Sequence, residues 1–161
     1  MALRTRLKIG DVLEVPLNDG KVGYVQYIAD DTSMLDSYVI RVFKGEHDPT
    51  KPPSVSEVVL GEVLFFAHVF LKLCIKYGNW KKMGNAPAPS KIDVLFRGCW
   101  DDGNPEIKVS HRWYVWRISE PFRDIGALTP EYVKAEIGSV LPPQSIVERM
   151  LTGGYTLGLP G

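Results

Sequence analysis

Gly10-Asp11-Val12-Leu13-Glu14-Val15-Pro16-Leu17, then Asn18-Asp19-Gly20, then Lys21-Val22-Gly23-Tyr24-Val25-Gln26-Tyr27-Ile28-Ala29 is the stretch whose reading decides the fold. Its first part alternates apolar and polar residues as a half-buried strand does, with Val12, Leu13, Val15 and Leu17 supplying the apolar character. Pro16 has no N–H to give to a ladder, which places it at an edge or near a strand end. Asn18-Asp19-Gly20 tolerates the positive φ of a tight hairpin turn. The returning strand puts Val22, Tyr24, Gln26 and Ile28 on one face and Gly23, Val25, Tyr27 and Ala29 on the other. After the interruption Asp30-Asp31-Thr32-Ser33, residues 37–44 read as a third strand in which Tyr38, Ile40 and Val42 oppose Val39, Arg41 and Phe43. Three strands in a meander predict an α+β, mainly β chain: a twisted antiparallel sheet or a small SH3-like barrel, here with a short helical C-terminal tail.

Outward from this meander, residues 45–56 hold Pro49, Pro52 and Pro53 among polar residues and read as an exposed loop. The apolar run 63–75 fits either a buried helix or a central strand by periodicity; its aromatic and β-branched content favours one long strand, bulged near Lys72. A turn and short strand follow over 77–84, then a proline-bearing loop over 85–90, a strand over 92–96, a turn at Asp101-Asp102-Gly103-Asn104-Pro105 and an aromatic strand over 113–118. Thr129-Pro130-Glu131 reads as an N-cap, a first-turn proline and a carboxylate at the positive end of a helix, whose stripe is Tyr132, Val133, Ile137 and Val140. Pro142-Pro143 breaks that helix, residues 144–151 form a second one, and Gly153-Gly154-Tyr155-Thr156-Leu157-Gly158 reads as a flexible terminus. The expected organisation is a β-rich domain over 1–128 with a helical extension over 129–161 packed on the same domain.

A chain of 161 residues can bury a core without disulfides, and 45% hydrophobic with 24% charged residues is ordinary for a soluble globular protein. Cys74 stands in the apolar run and Cys99 beside Trp100, which suits buried, reduced thiols. The basic lead Arg4-Thr5-Arg6 is not followed by the apolar region of a secretory signal, and the run 63–75 is too short to span a bilayer as a helix, so the expected compartment is the cytoplasm. Zero net charge argues against a binder that relies on a broad basic surface. That zero conceals a pattern: +3 over residues 1–8, −6 over 9–62, +5 over 63–100 and −2 over 101–161. Such segregation either steers a charged partner or is neutralised between neighbouring strands.

No catalytic constellation emerges. His47, His68 and His111 are widely separated and lack the i, i+4 spacing of a helical metal pair, and His68 sits among apolar neighbours as a core histidine does. Cys99 and His111 are the one conceivable nucleophile pair, with nothing beyond their proximity in sequence to support it. Phosphate loops, nucleophile elbows and zinc-spaced cysteines are missing, so no catalytic residue, metal or cofactor is expected. What remains is binding, with Trp80, Trp100, Trp113, Trp116, Tyr77 and Tyr114 shared between core and contact roles.

Three patterns together resemble the immunity-protein-26 family of bacterial polymorphic toxin systems: residues 10–17 followed by Asp19-Gly20-Lys21-Val22-Gly23-Tyr24; the apolar run leading to Gly78-Asn79-Trp80-Lys81-Lys82-Met83-Gly84; and Phe96-Arg97 ahead of an aromatic strand. The resemblance covers residues 9–120 and implies a non-enzymatic cytoplasmic antidote, encoded beside a secreted or contact-delivered toxin, that binds the toxin domain and occludes its active or substrate site. Contact anchors are expected in the acidic loops at Asp30, Asp31, Asp36, Glu46 and Asp48, which can imitate phosphates if the toxin is a nuclease. The rival reading is a nucleic-acid-binding small barrel that uses Lys72, Lys76, Lys81, Lys82 and Arg97 interleaved with Tyr77 and Trp80.

Overall fold

The computed structural model describes residues 6–161, so most of the basic lead lies outside the described residues. The chain runs β1 (Asp11–Pro16), β2 (Val22–Asp31), β3 (Ser37–Phe43), α1 (Val55–Val59), β4 (Val63–Val69), α2 (Leu71–Gly78), β5 (Lys81–Asn85), β6 (Phe96–Cys99), β7 (Trp113–Trp116), β8 (Arg123–Gly126), α3 (Pro130–Val133), β9 (Glu136–Ile137) and α4 (Pro143–Thr152). A five-stranded antiparallel sheet in the order β4-β3-β2-β1-β5 carries the predicted meander, and a four-stranded sheet in the order β8-β7-β6-β9 stacks on part of it. Both sheets are open, so of the two expected forms the twisted sheet holds and the closed barrel does not.

β2 is buried from Val22 to Ile28 because both faces of the larger sheet are covered. On one face Leu13, Val15, Val25, Tyr27, Ile40, Val42, Phe65 and Ala67 pack with Leu71 and Cys74 of α2 and Ile146 of α4. The opposite face is shared. At the end where β2 finishes, Ile28 and Val39 meet Phe96, Tyr114 and Trp116 of the smaller sheet; at the end where it starts, Val12, Tyr24 and Phe43 meet Val58 of α1. A bulge between Tyr27 and Ala29 lets β2 bend over the smaller sheet. Cys74 and Cys99 are free and buried, and burial pushes the Cys74 thiol up to about 12.

Four sequence expectations change. The strand expected over 92–96 keeps only Phe96, because β6 runs from Phe96 to Cys99. The run 63–75 breaks at Phe70 into β4 and α2. Its β-branched and aromatic residues lie mostly before the break. After it, Leu71 and Cys74 recur at helical spacing on the buried face, while Lys72 and Lys76 share the exposed one. The helical stripe expected from Tyr132 to Val140 stops after one turn. Glu136 N–H donates to Leu95 C=O at 2.9 Å and Gly138 N–H to Arg97 C=O at 2.9 Å, so pairing with the β6 edge replaces the helix with β9. The glycine-rich terminus is docked: Gly161 N–H donates to Lys108 C=O at 2.8 Å, and Gly161 C=O accepts from Ser110 N–H at 3.0 Å and Trp113 Nε1–H at 3.3 Å.

An ion pair secures the β4 edge. Arg149 of α4 makes a two-pronged contact with Glu136 at 3.0 and 3.1 Å, Glu136 Oε2 also accepts from Phe66 N–H at 3.0 Å, and the guanidinium lies 4.1 Å from the Phe65 ring centroid and 5.0 Å from that of Tyr155. One carboxylate therefore satisfies an edge-strand donor and neutralises a half-buried arginine.

Candidate functional site

Asp31, the last residue of β2, is fully buried where the two sheets meet. Its Oδ2 accepts from Trp116 Nε1–H at 2.9 Å and His68 Nε2–H at 2.8 Å; its Oδ1 accepts from the backbone N–H groups of Ser119 and Ser33, both at 2.9 Å. Burial alone would raise the Asp31 pKa, but these four donors more than offset it and hold the carboxyl below its ordinary value. Burial lowers the pKa of His68 despite Asp31 beside it and so favours the neutral imidazole, with its Nε2 proton directed at the carboxylate. The sequence-derived reading of His68 as a core histidine therefore describes its place, packed 4.2 Å from the Phe96 ring.

The hub fixes the β2–β3 tip. Met34 N–H donates to Asp31 C=O at 3.2 Å and Ser37 N–H to Met34 C=O at 3.0 Å, closing two turns. The second places Leu35 at φ 58° and Asp36 at φ 50°, the left-handed pair of a type I′ turn. Asp36 suits that conformation, whereas a leucine there costs about 1 kcal/mol. Leu35 is nonetheless 72% exposed, so it points an apolar side chain outward from a rigid tip. Thr32 N–H to Ser119 Oγ at 3.1 Å and Ser33 Oγ–H to Glu120 C=O at 2.6 Å brace the tip against the turn after β7. Asp30 is exposed and accepts from the Tyr27 hydroxyl.

Glu46 and Asp48 lie elsewhere. His47 forms a bridge with Val22, at the start of β2, its N–H donating at 2.8 Å and its C=O accepting at 2.9 Å. Val22 and Asp31 are the two ends of one strand, about 30 Å apart at the usual rise per residue. Glu46 and Asp48 are exposed, and Asp48 Oδ1 accepts from Thr50 N–H at 2.8 Å and Thr50 Oγ–H at 2.7 Å, which lowers its pKa. Between this loop and α1 is a cavity of about 250 Å³ lined by Tyr24, Phe43, Lys44, His47, Glu57 and Val58 among others. The His47 and Tyr24 ring centroids are 5.1 Å apart. Gly45 permits this fold-back: its φ is 120°, and a Cβ there would sit 2.9 Å from His47 Nε2.

The five acids predicted as contacts thus divide. Asp30 and Asp36 share one end of the sheet, Glu46 and Asp48 the other. Asp31 is no contact residue, because all of its surface is inside the fold; it positions the tip instead. Sequence reading missed Leu35, the tip's exposed apolar residue, although a leucine beside Asp36 in a turn was its visible signal. The basic patch of the nucleic-acid reading also comes apart. Trp80 is 1% exposed and cannot stack on a base, Lys82 lies 3.3 Å from the buried Asp11, and Arg97 is half-buried over Trp113 while donating to Ala135 C=O at 3.1 Å. Lys72, Lys76, Lys81, Tyr77 and Lys82 stay exposed, Lys82 with its ammonium committed to Asp11. Of the tryptophans, Trp113 and Trp116 join Trp80 in the core, and Trp100 is half-exposed, its ring 4.3 Å from that of Tyr114.

Among the described residues no helix is long and apolar enough to cross a membrane. No curated protein and no solved structure matches the chain. A family model described as Immunity protein 26 matches residues 8–108, over half of the 161-residue chain and including the acidic loops at both ends of the larger sheet, so the chain belongs to the immunity protein 26 family.

Proposed function

We propose that this chain is a cytoplasmic, non-enzymatic antidote that binds a cognate bacterial toxin domain and occludes its active or substrate site. Family membership carries the reading, since that family consists of immunity proteins. The acidic loops support it. Their carboxylates are exposed on backbone that is already fixed by turns and bridges, so little ordering entropy is lost on association. Contacts are assigned to Asp30 and Asp36 with Leu35 at one end of β2, and to Glu46 and Asp48 at the other, with Asp31 as the residue that positions the tip.

A standard interface covers about 800 Å² per partner, a patch roughly 30 Å across, and the faces of the larger sheet between its ends are occupied by helices and by the second sheet. One toxin surface therefore engages mainly one end. The experiment is co-expression with the toxin-like domain encoded beside this chain, scoring growth rescue and complex formation. Paired charge reversals, Asp30→Lys with Asp36→Lys against Glu46→Lys with Asp48→Lys, should weaken binding about tenfold or more at the engaged end and little at the other. A chain that neither binds nor rescues refutes the antidote reading, and unchanged binding by both double variants refutes the acidic contacts.

A further inference from the structure

Among the described residues, three buried side-chain polar atoms have no hydrogen-bond partner: His68 Nδ1, Trp80 Nε1 and Tyr24 Oη. His68 is closed in between the sheets beside Phe96 and Trp116. Trp80 borders a groove along α2 and α4 whose walls are chiefly apolar, including Pro16, Pro143, Val147 and Leu151. Tyr24 differs because it lines the cavity under the Gly45 loop, where charged groups stand beside it. Leaving a buried hydroxyl unpaired is unfavourable, and native structures rarely do so without a reason.

The chemistry around that hydroxyl is selective. Phe43, His47 and Tyr24 provide ring surfaces, and Glu57 provides an exposed carboxylate that makes no ion pair among the described residues. Lys44, the one lysine or arginine in the lining, is already 3.6 Å from Glu62. Lys21 and Lys51 are exposed and outside the lining, while Glu46 and Asp48 extend the acidic rim along the loop. Flat rings, a carboxylate and an unused phenol oxygen match a planar cation with several donors, which is the guanidinium group. A lysine ammonium can also sit over a ring, as Lys76 does over Tyr77, but it lacks the planar fork of donors that reaches a carboxylate and a phenol oxygen together while stacking on a ring, and an anion would meet Glu57.

We infer that this cavity receives an arginine side chain of the toxin domain, with Tyr24 Oη and the Glu57 carboxylate accepting from its guanidinium. The inference rests on the antidote reading for the origin of the arginine; the cation site itself can be tested without a toxin.

The probe is Nα-acetyl-arginine amide, titrated into the isotopically labelled full chain and followed by two-dimensional NMR, with the lysine and citrulline analogues as comparisons. Saturable shifts confined to residues 43–48 and 57–58, in the millimolar range, are expected for the arginine probe. They should weaken about tenfold in Glu57→Gln and severalfold in Tyr24→Phe, with lysine weaker and citrulline silent. Absence of saturable shifts, equal shifts with citrulline, or unchanged affinity in both variants overturns the cation site. With the toxin domain, Tyr24→Phe and Glu57→Gln should each bind more weakly than wild type. If both bind it as wild type does, the toxin does not use the cavity and the inference fails, although growth rescue would leave the antidote reading standing. If wild type itself fails to bind or rescue, the antidote reading fails, and the NMR result alone then decides the cation site.

Discussion

At the Asp31 end of the larger sheet a buried carboxylate takes four hydrogen bonds from four separate groups; at the His47 end a buried phenol takes none from the described residues. Both ends present acidic loops, yet they are built differently. The first is completed by the chain itself, because Trp116 and Ser119 from the second sheet and its following turn converge on the last residue of β2. The second is roofed by a five-residue helix and a loop held by one bridge to Val22, and a cavity stays open beneath them. Saturation of the Asp31 carboxylate fixes the first end, where His68 Nδ1 is the buried polar atom left over, enclosed between Phe96 and Trp116. Incomplete saturation leaves the second end with bonding capacity to offer.

The largest effect that tests this contrast is Asp31→Ala. It strands the Trp116 indole, the His68 imidazole and two backbone donors at the seam of the two sheets, and should cost about 3–5 kcal/mol of unfolding free energy in urea titrations. A loss below about 1 kcal/mol would mean that the seam is held by apolar packing alone and that the first end is not polar-locked.

Acid should loosen the same end in two stages. His68 has a folded pKa below its ordinary value, so the unfolded chain takes up a proton that the fold refuses; this stability is complete above about pH 6.5 and declines as pH falls from there toward the folded pKa. Asp31 is also depressed, so its contribution is complete above about pH 4 and is lost as pH falls through its lower folded pKa. Unfolding free energies measured from pH 7 to pH 3 should show both declines in wild type and only the lower one in His68→Gln. Parallel curves for the two proteins would remove His68 from the account.

A smaller change concerns the tip. Leu35→Asn exchanges a left-handed leucine for a residue that tolerates the conformation, and should stabilise by up to about 1 kcal/mol. If toxin binding falls about tenfold in the same variant, the strain is retained for the contact. A more stable protein with undiminished affinity would place the interface at the opposite end.

Much of this scaffold is legible in residues 10–44, where alternation, Asn18-Asp19-Gly20 and the returning strand specify the meander locally. What was not legible depended on distant partners. Glu136 and Ile137 carry a helical pattern until β6 captures their backbone, and nothing near Gly161 signals that it caps Trp113. In Asp30-Asp31 two identical side chains point to opposite fates, because one alternation step turns Asp31 toward His68 and leaves Asp30 in solvent. The acidic loops were visible as composition, but their separation by the length of β2 follows only from pairing. Trp80, which sequence leaves between core and contact roles, and Arg97, a contact only in the nucleic-acid reading, are both drawn inward, Trp80 against helix α2 and Arg97 over the Trp113 ring.

The smallest effect bears on the second end. Tyr24→Phe deletes an oxygen that has no hydrogen-bond partner among the described residues and keeps the ring that packs with Val12, Phe43 and Val58. If the hydroxyl contributes nothing to folding, thermal and urea unfolding should be unchanged or improved by up to about 1 kcal/mol, since a buried unsatisfied group is lost with little change in shape. A hydroxyl bonded within the fold would give the reverse, a loss of about 1 kcal/mol. The sign of this small change separates two explanations for the same atom. Destabilisation means that the second end is as self-contained as the first; neutrality or gain means that the oxygen is kept for something other than stability.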